Sequence, residues 1–201
     1  MNLPDGWLSR PEAKYLVQLV RDVVGLEGSF LEVGSFQGRS AVIIGTEVKK
    51  LNDCLYCIDI WNKEMKGEDE IERQRIREEY RKMGTSVIDK YFKGDMYRIF
   101  TENIKKWKLD NIIIPTIGFS SMIRKTWKIP LRFIFIDGNH EYLYVRDDCQ
   151  WRQFLICGGI IVFHDCRART VREAINKEMD NDSSFETTGS VHNLKMFRRI
   201  K

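Results

Sequence analysis

The stretch Ser29-Phe-Leu-Glu32-Val-Gly34-Ser-Phe-Gln-Gly38-Arg-Ser40 decides the fold. Its first residues are a short apolar run holding one acid, and Gly34 ends the run. Two glycines four apart let the backbone turn tightly and come close to a ligand. A helix is expected next, from about Gly38 to Lys50. Working outward, the same alternation returns. Further strands are expected at 54–60, Ile112–Ile117, Phe133–Ile136 and Gly159–Phe163, and helices at Tyr97–Lys108, Tyr142–Leu155 and Thr170–Met179. Upstream, Ser9 and Glu12 make a capping box, Pro11 suits a first turn and Gly25 a stop, so a helix is expected at Pro11–Val24. Its Ala13, Leu16, Val20 and Val23 recur at helical spacing. The tail from Phe185 to Ile200 holds two β-rich runs around Gly189 and reads as a hairpin. Alternating strands and helices mean a mostly parallel sheet with helices on both faces. The runs Phe133-Ile-Phe-Ile136 and Ile160-Ile-Val-Phe163 are apolar throughout, as strands covered on both sides must be. Residues 61–93 differ: they are crowded with charge of both signs and read as a solvated, mostly helical insertion in a single domain spanning 1–201.

Length and composition agree. A chain of 201 residues fits one domain, and 43% hydrophobic with 11% aromatic residues can build a core. The net charge of +4 is too mild to argue for a nucleic acid or an anionic membrane. The longest clearly apolar stretch, Leu155–Phe163, is far short of the roughly 20 residues a membrane-spanning helix needs. The first residues show no signal pattern, so a cytoplasmic location is expected. The cysteines are Cys54, Cys57, Cys149, Cys157 and Cys166, an odd set that does not suggest a disulfide scaffold. Cys54 and Cys57 lie in a strand-like run, where residues three apart face opposite sides, so they read as core residues rather than as a metal or redox pair.

In open α/β sheets, ligands bind outside the carboxyl ends of the strands. The polar residues there are Glu32, Asp59, Ser120, Asp137, His164 and Asp165. The turn after the first strand is not G-x-G-x-x-G and is not a phosphate-cradling loop, since no Gly-Lys-Ser/Thr follows. Glu32, just before the turn, would repel a phosphate but would suit an ammonium group. Asp59 ends the second strand, where it could accept from both hydroxyls of a ribose. An acid for a cation, a glycine turn and an acid for a ribose together describe S-adenosylmethionine. Residues Glu32, Gly34, Ser35, Gly38, Ser40 and Asp59 form this candidate set.

With those residues in hand, the sequence resembles the class I S-adenosylmethionine-dependent methyltransferases. It is most similar to the small branch that includes the macrocin O-methyltransferases and the cephalosporin-biosynthesis methyltransferase-like proteins. The likeness rests on Phe30–Ser40, Cys57-Ile-Asp-Ile-Trp61, Phe133-Ile-Phe-Ile-Asp-Gly-Asn-His140 with Tyr142, and Gly158-Gly-Ile-Ile-Val-Phe-His-Asp165, and it covers about residues 28–166. It implies a Rossmann-like three-layer α/β sandwich with a mostly parallel seven-stranded sheet and a reversed terminal strand. It implies that Glu32 and Gly34 sit at the methionine end of the cofactor, that Asp59 holds the ribose, and that Ile60 and Trp61 border the adenosine, with Ser120 near the adenine. One departure stands out. Relatives commonly carry Gly-Asp-Ser where this chain has Gly118-Phe119-Ser120, so an acid that can accept from the adenine amino group is missing.

The resemblance also sets Asp137, His164 and Asp165 where metal-dependent relatives bind magnesium, and makes His140 the proposed general base. Two carboxylates from adjacent strand ends could hold Mg2+ or another divalent metal and acidify a hydroxyl, although His164 is an unusual ligand for magnesium. A neutral imidazole beside such a hydroxyl suits base catalysis near neutral pH. Arg39 and Arg167 flank this expected site. The implied activity is O-methylation of a small-molecule acceptor, sugar-like or polyol, with the insertion or the N-terminal helix shaping the acceptor pocket. A nicotinamide-dependent oxidoreductase and a non-catalytic binding module are the alternatives. Association into a homo-oligomer stays open.

Overall fold

The computed structural model describes residues 2–61 and 96–201. The expected charged insertion at 61–93 lies almost wholly outside the described residues. The elements in order are α1 (Arg10–Asp22), β1 (Ser29–Val33), α2 (Arg39–Lys49), β2 (Leu55–Asp59), α3 (Met96–Lys106), β3 (Ile113–Ile117), α4 (Ser120–Thr126), β4 (Leu131–Ile136), α5 (Tyr142–Cys149), a 3-10 turn (Gln150–Phe154), β5 (Leu155–Phe163), α6 (Arg169–Glu178), β6 (Phe185–Val191) and β7 (Leu194–Arg199). The sheet is seven-stranded in the order β3-β2-β1-β4-β5-β7-β6. Strands β1 to β5 pair in parallel, and β7 runs antiparallel between β5 and β6. This is the three-layer α/β sandwich with a reversed strand that the sequence leads one to expect.

Strand parity builds the two cores. Phe133 and Phe135 of β4, Phe30 of β1 and Cys57 of β2 face α1, α2 and α3, where Leu16, Val20, Ile44, Phe100 and Ile104 meet them. Leu31, Val33, Ile134, Ile136 and Phe163 face the other side and pack on Val145, Cys149, Ala174 and Ile175 of α5 and α6. Each fully buried large side chain stabilises the fold by ~2 kcal/mol. Parity also directs Glu32, which shares a face with Phe30, toward the α2 layer.

Three local features differ from expectation. The helix from Tyr142 ends at Cys149 and tightens into a 3-10 turn, which buries Trp151 edge-on against Trp127. Strand β5 begins at Leu155 rather than Gly159. Its pairing with β4 slips between Leu131 and Phe133, and Gly158, at φ 83°, absorbs the extra residues. The short helix α4 was not foreseen. Among the described residues, no helix is long and apolar enough to cross a membrane.

Candidate active site

The strand order reverses between β1 and β4, where connections leave in opposite directions and open a crevice at the carboxyl ends. A cavity of about 720 Å³ lies there, within the size range of small-molecule and cofactor sites. Gly34 makes the crossing of β1 past β4 feasible. Its φ is 86°, and a Cβ there would come within 2.2 Å of the Asp137 carbonyl oxygen. Asp137 N donates to Val33 O at 2.8 Å and ties the two loops, and Gly34 N donates to Ile58 O of β2 at 2.9 Å.

The expected cofactor residues divide into two groups. Gly34, Ser35, Ser40, Asp59, Ile60, Ser120 and Asp137 line the cavity, as do His140, His164 and Asp165. Glu32, Gly38 and Trp61 are not among its lining residues. Gly38, at φ 91°, starts α2 and turns its Cα toward the Phe100 ring. Trp61 is buried against Tyr97 and Phe100, and its indole N–H donates to Phe36 O at 2.8 Å. Glu32 is wholly buried beneath the turn. Its Oε2 accepts from Ser35 Oγ at 2.6 Å and Cys57 Sγ at 3.3 Å, while Oε1 has no hydrogen-bond partner among the described residues. Burial pushes this carboxyl up to about 7, against the pull of the hydrogen bonds from Ser35, Ser40 and Cys57. The acid therefore meets the cavity through Ser35 and Ser40, which line it.

Asp59 ends β2 and organises the turn. It accepts from Phe36 N at 2.8 Å and from Trp61 N at 3.1 Å. Both donors sit in the left-handed region, at φ 47° and 40°, a conformation costing about 1–3 kcal/mol each for such bulky residues. Phe36 in turn carries the Trp7 ring, 5.2 Å away. Trp7 is 65% exposed and, with Asp5, Gly6 and Leu8, walls one side of the cavity. Arg39 fastens that segment by donating to Leu8 O at 3.0 Å and Pro4 O at 3.1 Å. Thus, among the described residues, the N-terminal segment ahead of α1 rather than the helix itself lines the pocket, and Arg39 is engaged with backbone.

At the β3 end, Phe119 is a buried wall and Ser120 donates its hydroxyl proton to Asp148 of α5. The Trp151 indole N–H donates to Ser120 Oγ at 3.0 Å. Burial raises Asp148 to about 7, opposed by the Ser120 bond. At the β4–β5 end, the ligand atoms of Asp137, His164 and Asp165 lie within 4.8 Å of one another. His164 Nδ1 is 3.1 Å from Asp137 Oδ1 and 3.0 Å from Asp165 Oδ2, and Asp165 is at φ 51°. Burial pulls the His164 imidazole down, but the two carboxylates outweigh it and hold it at about 11. His140 Nε2 lies 3.1 Å from Asp165 Oδ2 and 3.9 Å from Asp137 Oδ1. Asp137 and then Asp165 raise its affinity for a proton. Thr170 Oγ1 fixes the loop by donating to His140 O at 2.6 Å.

Sequence reasoning missed Asp148 and the Asp5–Leu8 segment. It also read Glu12 only as a cap. Glu12 does accept from Ser9 N at 2.8 Å, but its other oxygen accepts from Asn193 N at 3.0 Å, and His164 Nε2 is 3.7 Å away. The α1 cap thereby backs the histidine cluster. Cys57, expected as a plain core residue, contacts Glu32, and all five cysteines are unpaired thiols.

Comparison with known proteins gives one family and many similar folds. Residues 31–166 match the family described as "Methyltransferase domain". The O-methyltransferase NovP superposes with a TM-score of 0.72 at 15% identity, over 94% of this chain and 79% of that one. An O-methyltransferase from Bacillus cereus, solved in complex with SAH, gives 0.67 at 16% identity, over 100% and 85%. TomG from Streptomyces achromogenes, an O-methyltransferase of tomaymycin synthesis solved with SAM, gives 0.66 at 14% identity, over 99% and 84%. These likenesses show the same fold, and the family match spans more than half of the sequence: the chain belongs to the methyltransferase-domain family.

Proposed function

We propose that this chain transfers a methyl group from S-adenosylmethionine (SAM) to an oxygen of a small hydroxylated acceptor, sugar-like or polyol. The observation that carries this reading is a single cavity at the switch point, in which a glycine turn and Asp59 stand at one end and a histidine–carboxylate cluster at the other. In this reading Gly34, Ser35 and Ser40 border the methionine portion, Asp59 takes the ribose hydroxyls, and Ile60 flanks the base. Glu32 supports the turn from below through Ser35. With the Nε2–H of His140 turned to Asp165, Nδ1 is the nitrogen that takes the acceptor's hydroxyl proton as the carbon–oxygen bond forms and the carbon–sulfur bond breaks. The products are a methyl ether and S-adenosylhomocysteine (SAH), with the proton on the imidazole. Asp137 and Asp165 stabilise that imidazolium. The sulfonium is already an activated donor, so the remaining catalysis is positioning.

Asp137, His164 and Asp165 offer two carboxylates and an imidazole close enough to hold one divalent ion. That donor set fits a first-row divalent metal better than magnesium. When bound, such an ion supplies Lewis-acid polarisation of the acceptor oxygen. His164 Nδ1 faces both carboxylates, and it would have to lose its proton to serve as a ligand.

The test is an SAH-release assay over a panel of sugars, polyols and phenols, run with Mg2+, with Mn2+ and with EDTA. Acceptor-dependent SAH release, with a methyl ether identified by mass spectrometry, is the expected result. Protein that binds SAM but releases SAH no faster with any acceptor contradicts the reading.

A further inference from the structure

The end of the cavity beside β3 holds an acid that the reaction described above does not use. Asp148 is only 5% exposed, yet it lines the cavity. One of its oxygens takes the Ser120 hydroxyl proton. That proton is the only one Ser120 has to give, and its Oγ already accepts from Trp151. The second oxygen, Oδ2, makes no hydrogen bond within the described residues. It lies next to Gly138, another lining residue, whose Cβ would meet it at 3.4 Å. Asp148 lines the cavity with this acceptor unfilled, so a ligand that expels water from that end must offer an N–H or O–H in its place.

The sheet order says which part of the ligand arrives there. Strands β1, β2 and β3 are neighbours in that sequence. A nucleoside whose tail rests on the β1 turn and whose ribose meets Asp59 at the end of β2 brings its base to the end of β3. There Ile60 and Phe119 supply apolar walls, and Asp148 in its carboxylate form supplies acceptors only. We propose that Asp148, on α5, reads the exocyclic amino group of the adenine, and so takes over the duty of the acid that Phe119 replaces. Trp151 and Ser120 position it from behind. This inference rests on the SAM reading, and it adds that the pocket selects a 6-amino purine against a 6-oxo purine.

The experiment is a calorimetric titration of the full chain with SAH and with S-inosylhomocysteine, which differs in carrying a 6-oxo group. The wild-type protein binds SAH about 30-fold more tightly than the inosyl analogue, the scale of one buried acceptor left facing an oxygen. In Asp148→Asn the amide N–H groups suit a 6-oxo group, and the ratio falls below about 3-fold. Equal affinity of the wild-type protein for the two ligands overturns the inference, and that comparison needs no variant to fold. An unchanged ratio in folded Asp148→Asn overturns it as well. Wild-type protein that binds neither ligand removes the SAM reading itself.

Discussion

The two ends of the cavity are built in different ways. At the β2–β3 end, carboxylates are held by groups that cannot move far. Asp59 takes two backbone N–H groups, and Asp148 takes a serine that a tryptophan fixes in turn. At the β4–β5 end, acids and imidazoles hold one another: His164 between Asp137 and Asp165, and His140 against Asp165. The first arrangement is preorganised and suits a ligand that is the same in every turnover. The second keeps mobile protons among side chains of opposite charge, which suits chemistry. Between the ends stands Gly34, where β1 passes the β4 loop at a distance no side chain tolerates.

The contrast can be broken from either side. The largest effect is expected at the chemical end: His140→Ala should lower turnover by about 10³-fold and leave SAH affinity within about two-fold. Steady-state rates beside calorimetry check this, and full activity removes His140 as the base. Next, Gly34→Ala should destabilise the protein by ~3 kcal/mol or more, because both the positive φ and the Asp137 carbonyl oppose a methyl group. Denaturant melts measure it, and wild-type stability in that variant contradicts the close approach. At the preorganised end, Asp59→Ala should weaken SAH binding by about 100-fold, as lost charge-assisted hydrogen bonds would. Unchanged affinity refutes the ribose assignment.

The smallest effect concerns Glu32. Its carboxyl ionises at about 7 in the folded protein and at 4.5 when free of the fold. As pH rises from 4.5 to 7, the unfolded chain loses this proton before the folded one does. The stability that the proton-bound form contributes is therefore present below 4.5 and is lost by the time pH passes 7. Glu32→Gln has no proton to lose, so its stability relative to wild type should rise by ~2 kcal/mol between pH 5 and pH 8. Urea titrations at the two pH values test this, and a difference that does not change with pH shows that Glu32 is not buried as a neutral acid.

Much of this was legible in the sequence, because strand–helix alternation and the glycine turn are local signals. The β1 turn, Asp59 and the Asp137–His140 loop were placed from a few residues each, and they share one cavity. What the sequence hid depends on three-dimensional company. Glu32 stands just before the turn, so it read as a ligand contact. The alternation with Phe30 directs its side chain toward α2, where it is buried outside the lining of the cavity. Asp148 falls inside the helix expected at Tyr142–Leu155 with no motif to mark it, and only its packing against Ser120 and Trp151 sets it apart. Glu12 carried an obvious capping signal that concealed its second partner, Asn193, 181 residues away. The early start of β5 was hidden because a glycine pair reads as a break until the β4 register shows the bulge.

The central claim is that the crevice at the carboxyl ends of β1 and β2 receives an adenosyl sulfonium compound. Calorimetric titration of the intact chain with SAH, and separately with NADH, tests it most directly. The account predicts one SAH per chain with micromolar or tighter affinity and no measurable heat from NADH. Saturable NADH binding, or no SAH binding by folded protein, would contradict it.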